Sequence, residues 1–127
     1  MSKHLQNQYA EYLLKDNILY FNFKQNVEIN LEAAQQIVKD RILIQDGQSY
    51  PVLSDIRQLK FITKPAREYM ASEGTVMISA IAFITEPIMV SDITVKVFMR
   101  KNKPTLPAKQ IFTDIPEALT FLRKFAI

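Results

Sequence analysis

An uncharged run of β-branched and small apolar residues, Ile78-Ser79-Ala80-Ile81-Ala82-Phe83-Ile84, is bounded on both sides by turn chemistry. That composition marks a strand buried on both faces, so the sheet that holds it needs cover above and below. Ile78–Ile84 is expected as a central strand, and the remaining segments must supply its neighbours and its helices.

They carry the right patterns. Glu11 to Leu14 and Ile18 to Phe23 are apolar and aromatic runs separated by Lys15-Asp16-Asn17, the spacing of two strands joined by a tight hairpin. In the second run Ile18, Tyr20 and Asn22 face one way, and Leu19, Phe21 and Phe23 the other. Asn30 can cap a helix, with Glu32 favouring its positive end; Ala34, Ile37, Val38, Arg41 and Ile42 then recur at helical spacing until Asp46-Gly47. Tyr50 to Ile56 reads as a strand ending near Asp55, with Pro51 tolerated among its first residues. Thr63 can cap a second helix that takes Pro65 in its first turn, turns Ala66, Tyr69 and Met70 inward and ends at Gly74. Pro107 to Phe112 gives a last strand. Asp114 then opens a closing helix with Glu117 three residues on, a capping-box arrangement, and Ile115, Ala118, Leu119, Leu122 and Phe125 form its stripe.

Residues 85–102 divide between two patterns. Met89, Val90, Ile93 and Val97 keep helical spacing, while Ile93, Val95, Val97 and Met99 alternate as a strand would, and periodicity leaves both open.

This alternation asks for an α/β fold, an open mixed sheet with helices packed on it. Right-handed crossovers would gather the loops after the parallel strands at one edge, where a site is expected. At 127 residues the chain has room for one core. Residues 1–8 are polar and carry no capping signal, so they are expected as a loose arm before a single domain over 9–127.

Several chemistries are excluded by residue type. The chain has no Cys, which removes disulfides, thiolate metal sites and cysteine nucleophiles, and its one His, His4, removes sites that need two imidazoles. Glu68, Glu73 and Glu86 stand at no spacing that pairs two acids on a substrate, and Ser54, Ser79 and Ser91 lack a G-x-S-x-G elbow. No enzymatic activity, cofactor or metal is expected. Sixteen Lys and Arg against 13 Asp and Glu leave a scattered net charge of +3, and the basic run Arg100-Lys101-Asn102-Lys103 stands just before a proline turn, as an element's charged end does. Nucleic acid is therefore not an expected partner. The N-terminal residues lack the apolar core of a signal peptide, and no window reaches the roughly 18 apolar residues of a membrane span, so a cytoplasmic protein without membrane insertion is expected.

At the expected edge, Asp55, Arg57, Lys60, Thr63, Lys64 and Arg67 cluster in and around the loop from Asp55 to Thr63, which leads to a helix start. Helix starts hold anions through free amides, so the cluster reads as a phosphate or carboxylate site, as a contact surface for a partner, or as a solvated turn capped by Thr63; no glycine-rich cradle accompanies it. Met70, Met77, Met89 and Met99, with Phe83 and Phe98, read as core packing, as a dimer or partner face, or as the wall of an apolar pocket.

The run Val52-Leu53-Ser54-Asp55-Ile56-Arg57-Gln58-Leu59-Lys60-Phe61-Ile62-Thr63-Lys64-Pro65-Ala66 resembles, without a gap, the strand-loop-helix segment of STAS domains, the bacterial anti-sigma-factor antagonists of the SpoIIAA-like fold. In that family an Asp-Leu ends the strand, and an apolar-x-apolar-apolar stretch leads to Asp-Ser-Ser-Gly at the helix start. Asp55-Ile56 matches the pair and Leu59-x-Phe61-Ile62 the stretch. The closing segment from Pro107 through Asp114, Glu117, Ala118 and Leu119 to Leu122 is similar to the last strand and helix of short STAS-like proteins.

The resemblance implies a mixed sheet of about five strands with about four helices, one of them spanning Thr85 to about Lys101. It implies a non-enzymatic regulatory module that docks a protein partner or a second copy through Asp55, Arg57, Lys60, Thr63, Lys64 and Arg67. Met70, Met89, Ile93 and Val97 would then form a dimer or ligand face, and a homodimer is expected. The family's switch serine falls on Lys64, the next serine on Pro65 and the glycine on Ala66. Lysine takes no phosphate ester, so the phospho-switch is expected to be absent unless Thr63 has assumed the role. Lipid carriers of the CRAL-TRIO type share a broadly related layout, which gives the alternative of a carrier or sensor of a small apolar or lipid-like ligand.

Overall fold

A computed structural model describes residues 2–86 and 108–126. Along the chain run β1 (Ser2–Gln6), β2 (Ala10–Lys15), β3 (Ile18–Phe23), β4 (Val27–Ile29), α1 (Leu31–Gln45), β5 (Tyr50–Asp55), β6 (Leu59–Ile62), α2 (Lys64–Ala71), a 3-10 turn (Glu73–Thr75), β7 (Ile78–Ile84), β8 (Ala108–Phe112) and α3 (Ile115–Arg123). The main sheet has six strands in the order β1-β2-β3-β5-β7-β8, and β4 pairs with β6 in a separate two-stranded ribbon. β1, β2 and β3 are antiparallel neighbours, while β5, β7 and β8 continue from β3 in parallel.

Local chemistry explains the boundaries. Between β2 and β3, Asp16 and Asn17 both take left-handed backbone (φ 53° and 62°), the two-residue turn whose twist matches that of a hairpin. Their short polar side chains tolerate that region better than most. The Asn30 side chain accepts from the Ala33 amide at 2.8 Å and starts α1, which stops where Asp46 and Gly47 go left-handed (φ 50° and 81°).

α1 and α2 cover one face of the sheet. There Leu19, Phe21, Phe23, Val52, Ile81 and Phe83 meet Ala33, Ala34, Ile37 and Ile44 of α1 and Ala66 of α2. On the opposite face Ile18, Leu53, Ala80, Ala82 and Ile84 meet Ala118 and Leu122 of α3, and the alanines of β7 let that helix approach closely. β7 is thus buried on both sides, between β5 and β8, as its composition requires. Tyr12 joins the helix-side core, its hydroxyl donating to the Ile37 carbonyl at 2.8 Å, and burial pushes the phenol above its usual pKa.

Three expectations are corrected. Residues 2–6 are not a loose arm but an edge strand, with Ser2 opposite Lys15 and Gln6 opposite Glu11. The Asn7 side chain makes the turn by accepting from the amides of Tyr9 and Ala10 at 2.8 and 2.9 Å, and Leu5 packs on the helix-side core, so among the described residues the main sheet has six strands. The loop from Asp55 to Thr63 contains a strand, β6, that pairs in parallel with β4. Asp114 precedes α3, yet its side chain makes no capping bond; Pro116 in the first turn has no amide, which removes one of the two donors such a cap would use. Among the described residues there are three α-helices. The helix expected from Thr85 to about Lys101, with Met89, Ile93 and Val97, lies almost wholly outside the described residues. No helix among them is long and apolar enough to cross a membrane.

Candidate functional site

Asp55 closes β5, and the chain turns at once. The Asp55 carboxylate accepts from the Arg57 backbone amide at 3.1 Å and from the Arg57 guanidinium twice, at 2.9 Å from Nε and 2.7 Å from Nη2. This fork raises the Arg57 guanidinium above its ordinary pKa, chiefly through the hydrogen bond, and Glu86 just beyond β7 adds to it. The pair fastens the turn between β5 and β6.

β6 then carries an irregularity that decides what the surface shows. Val27 is opposite Leu59, but Glu28 is opposite Phe61, so Lys60 is an extra residue, a bulge. Simple alternation after Leu59 would turn Phe61 inward and Ile62 outward. The bulge reverses them: Ile62 is 2% exposed and Phe61 is 55% exposed. The Lys60 ammonium lies 3.5 Å from the Glu28 carboxylate on the same outer surface.

Thr63 links this ribbon to α2. Its amide donates to the Ile29 carbonyl at 2.9 Å, its hydroxyl oxygen accepts from the Ala66 amide at 3.3 Å, and its carbonyl accepts from the Arg67 amide at 2.9 Å. Pro65 has no amide to offer. The amides of Ala66 and Arg67 are therefore engaged within the chain, and the start of α2 is a poor cradle for an anion. Arg67 reaches back to the Ile62 carbonyl at 3.1 Å, and its buried Nε has no hydrogen-bond partner. Lys64 is exposed.

The six residues singled out in the sequence thus resolve into three settings. Asp55 and Arg57 satisfy each other, Thr63 and Arg67 build the junction of β6 with α2, and Lys60 and Lys64 project from the surface on either side of Phe61 in sequence. Phe61 is the residue the sequence reading missed as a surface group, because the bulge that exposes it depends on pairing with β4. On the neighbouring rim Gln6, Glu11, Asn22 and Asp55 stand opposite one another across four strands and line a polar groove of about 580 Å³ with Lys24, Gln25 and Gln58. Met70, expected on a dimer or ligand face, lines a cavity between the sheet and the helices. Among the described residues no three His, Asp or Glu side chains gather as a metal site would require.

The fold is SpoIIAA-like. A crystal structure of an uncharacterized DUF3478-family protein with a SpoIIAA-like fold, from Shewanella loihica PV-4, superposes with a TM-score of 0.60 over 96% of this chain and 92% of that one, at 16% identity. No curated protein matches the sequence. Residues 12–126 match the family described as a domain of unknown function, DUF7793.

Proposed function

The chain belongs to the DUF7793 family, and we propose that it is a non-enzymatic regulatory module that docks a protein through the surface around Phe61. The exposure of this phenylalanine carries the reading. An aromatic ring more than half open to water, on a strand whose own register pushes it outward, offers an apolar contact that a docked partner would bury. Lys60 and Lys64 flank it in sequence, so an acidic partner surface would meet cations beside an aromatic contact. The segment is also the one that resembles the docking and switch region of STAS domains. A second copy of the chain is one occupant of this surface, and a cytoplasmic setting belongs to the same reading.

Size-exclusion chromatography with light scattering, beside affinity capture on the tagged chain, tests it. Phe61→Glu is expected to abolish self-association or capture of a defined partner, while Leu43→Glu, at an exposed site on α1, leaves them intact and both variants melt like the wild type. A strict monomer that captures nothing, or equal behaviour of the two variants, rejects the proposal.

The docking should not be gated by phosphate. Lys64 occupies the switch position, and the Thr63 hydroxyl is half-buried and tied to the Ala66 amide. Incubation with a broad serine/threonine kinase is expected to leave the intact mass unchanged; stoichiometric phosphate on Thr63 would show that the switch has moved by one residue.

A further inference from the structure

Between the sheet and the layer formed by α1 and α2 lies an interior cavity of about 60 Å³. Phe21, Val52, Ile81 and Phe83 of the sheet, Ile37 of α1 and Met70 of α2 make most of its wall apolar. Three polar side chains interrupt that wall: Arg41 from α1, 4% exposed, Ser54 from β5, 8% exposed, and Thr75 of the 3-10 turn, 7% exposed, whose hydroxyl donates to the Ser72 carbonyl at 2.8 Å.

Arg41 is held by neutral groups. Its Nη1 donates to the Gln45 side-chain oxygen, and its Nη2 donates to the carbonyls of Gly74 at 3.0 Å and Val76 at 2.8 Å. None of these bonds uses Nε, and none of the acceptors carries a charge. A full positive charge is therefore fixed at the edge of a mostly apolar cavity by oxygens that orient it without neutralising it, which is an expensive arrangement for a purely structural residue. The void exceeds the roughly 10–15 Å³ that admits one water, yet most of its surface gives water nothing to bond. What completes both parts of the wall is a small molecule with a hydrocarbon body and one anionic head, to which the Nε–H left over by these bonds can give a charge-assisted hydrogen bond.

We propose that this cavity binds a short-chain monocarboxylate, its hydrocarbon against Phe21, Val52, Met70 and Phe83 and its carboxylate on the Arg41 guanidinium and the Ser54 hydroxyl. The inference is independent of docking at Phe61 and stands or falls on its own measurement.

Titration of methyl-labelled protein with butyrate, 1-butanol and inorganic phosphate provides that measurement. Butyrate is expected to shift the methyl signals of Ile37, Val52 and Met70 saturably, 1-butanol to bind about tenfold more weakly for want of the charge-assisted bond, and phosphate not to shift them. Ala71→Leu adds volume to the same wall and should remove the butyrate response, and Arg41→Lys, which keeps a cation but loses the Nε–H held in place by the guanidinium's other bonds, should weaken it severalfold. Equal affinity for butanol and butyrate, a response that survives in folded Ala71→Leu, or no saturable shift in the wild type overturns the proposal.

Discussion

Phe21→Ala is expected to lower the free energy of unfolding by roughly 3–5 kcal/mol, the range for truncating a buried aromatic side chain. Phe21 is 4% exposed, its ring centroid lies 5.3 Å from that of Tyr12 and 4.9 Å from that of Phe23, and it sits midway along β3 under α1. These ring contacts add to the burial, because tilted and edge-on pairs gain beyond their area. Phe21 also lines the interior cavity, so truncation enlarges an existing void where collapse of the surroundings is hardest. Against a total stability of about 5–15 kcal/mol for a domain of ordinary size, the variant should be near the edge of folding. Urea unfolding followed by far-ultraviolet circular dichroism measures the change; a loss below about 1 kcal/mol would mean that the cluster around Phe21 is not packed as described.

Arg41→Met is expected to cost about 3 kcal/mol, because it strands buried acceptors that the guanidinium satisfies. Gln45, 1% exposed, loses the donor to its side-chain oxygen, and the Gly74 carbonyl loses its partner. Damage extends beyond Arg41. The Gln45 amide donates to the carbonyls of Gln48 at 2.8 Å and Met77 at 2.9 Å, and Met77 holds a left-handed backbone (φ 63°) at the entry to β7. Arg41 fixes Gln45, and Gln45 fixes that strained turn. Gly74 adds to the constraint, since a Cβ there would stand 3.2 Å from the Tyr69 carbonyl oxygen and 3.4 Å from Val38.

The pH dependence gives Arg41 a signature of its own. Burial lowers its guanidinium to about 10. Above that value, and until the ordinary arginine range is reached, the unfolded chain binds the proton that the folded chain has released, so the stability of the wild type gains with rising pH through this group. Arg41→Met lacks the group, and the stability gap between the two proteins should widen above pH 10. Tyr12, with its raised phenol pKa, contributes the opposite slope, but both proteins carry it. Parallel denaturant titrations at neutral and alkaline pH test this, and a gap that narrows contradicts the burial of a charged Arg41.

How far the sequence could be read depends on whether a feature is local. The Asp16-Asn17 turn, the Asn30 and Thr63 caps and the doubly buried run at Ile78–Ile84 each rest on residues within a few positions, and each is found where the residues place it. Ser2–Gln6 was opaque because a polar edge strand owes its order to pairing with β2 and not to its own pattern. The ribbon of β4 and β6 was hidden for a similar reason: three- and four-residue strands pair across about thirty positions of chain. With the ribbon went its bulge, and with the bulge the exposure of Phe61. Arg41 did leave a trace, as a cation recurring on the apolar stripe of α1, but only the fold shows that it turns to neutral oxygens beside a cavity rather than to water.

The outermost strand carries its own safeguard. An open sheet ends in a row of amides and carbonyls that could recruit another molecule, and long assemblies grow by that route. On β1 the Lys3 ammonium lies 4.0 Å from Asp46 and the His4 imidazole 3.9 Å from Glu11, so this border is dressed in hydrated, polar side chains. Stripping water from them before backbone could meet backbone opposes fibrous stacking, which lets the protein present a sticky aromatic elsewhere on its exterior without polymerising along its margin.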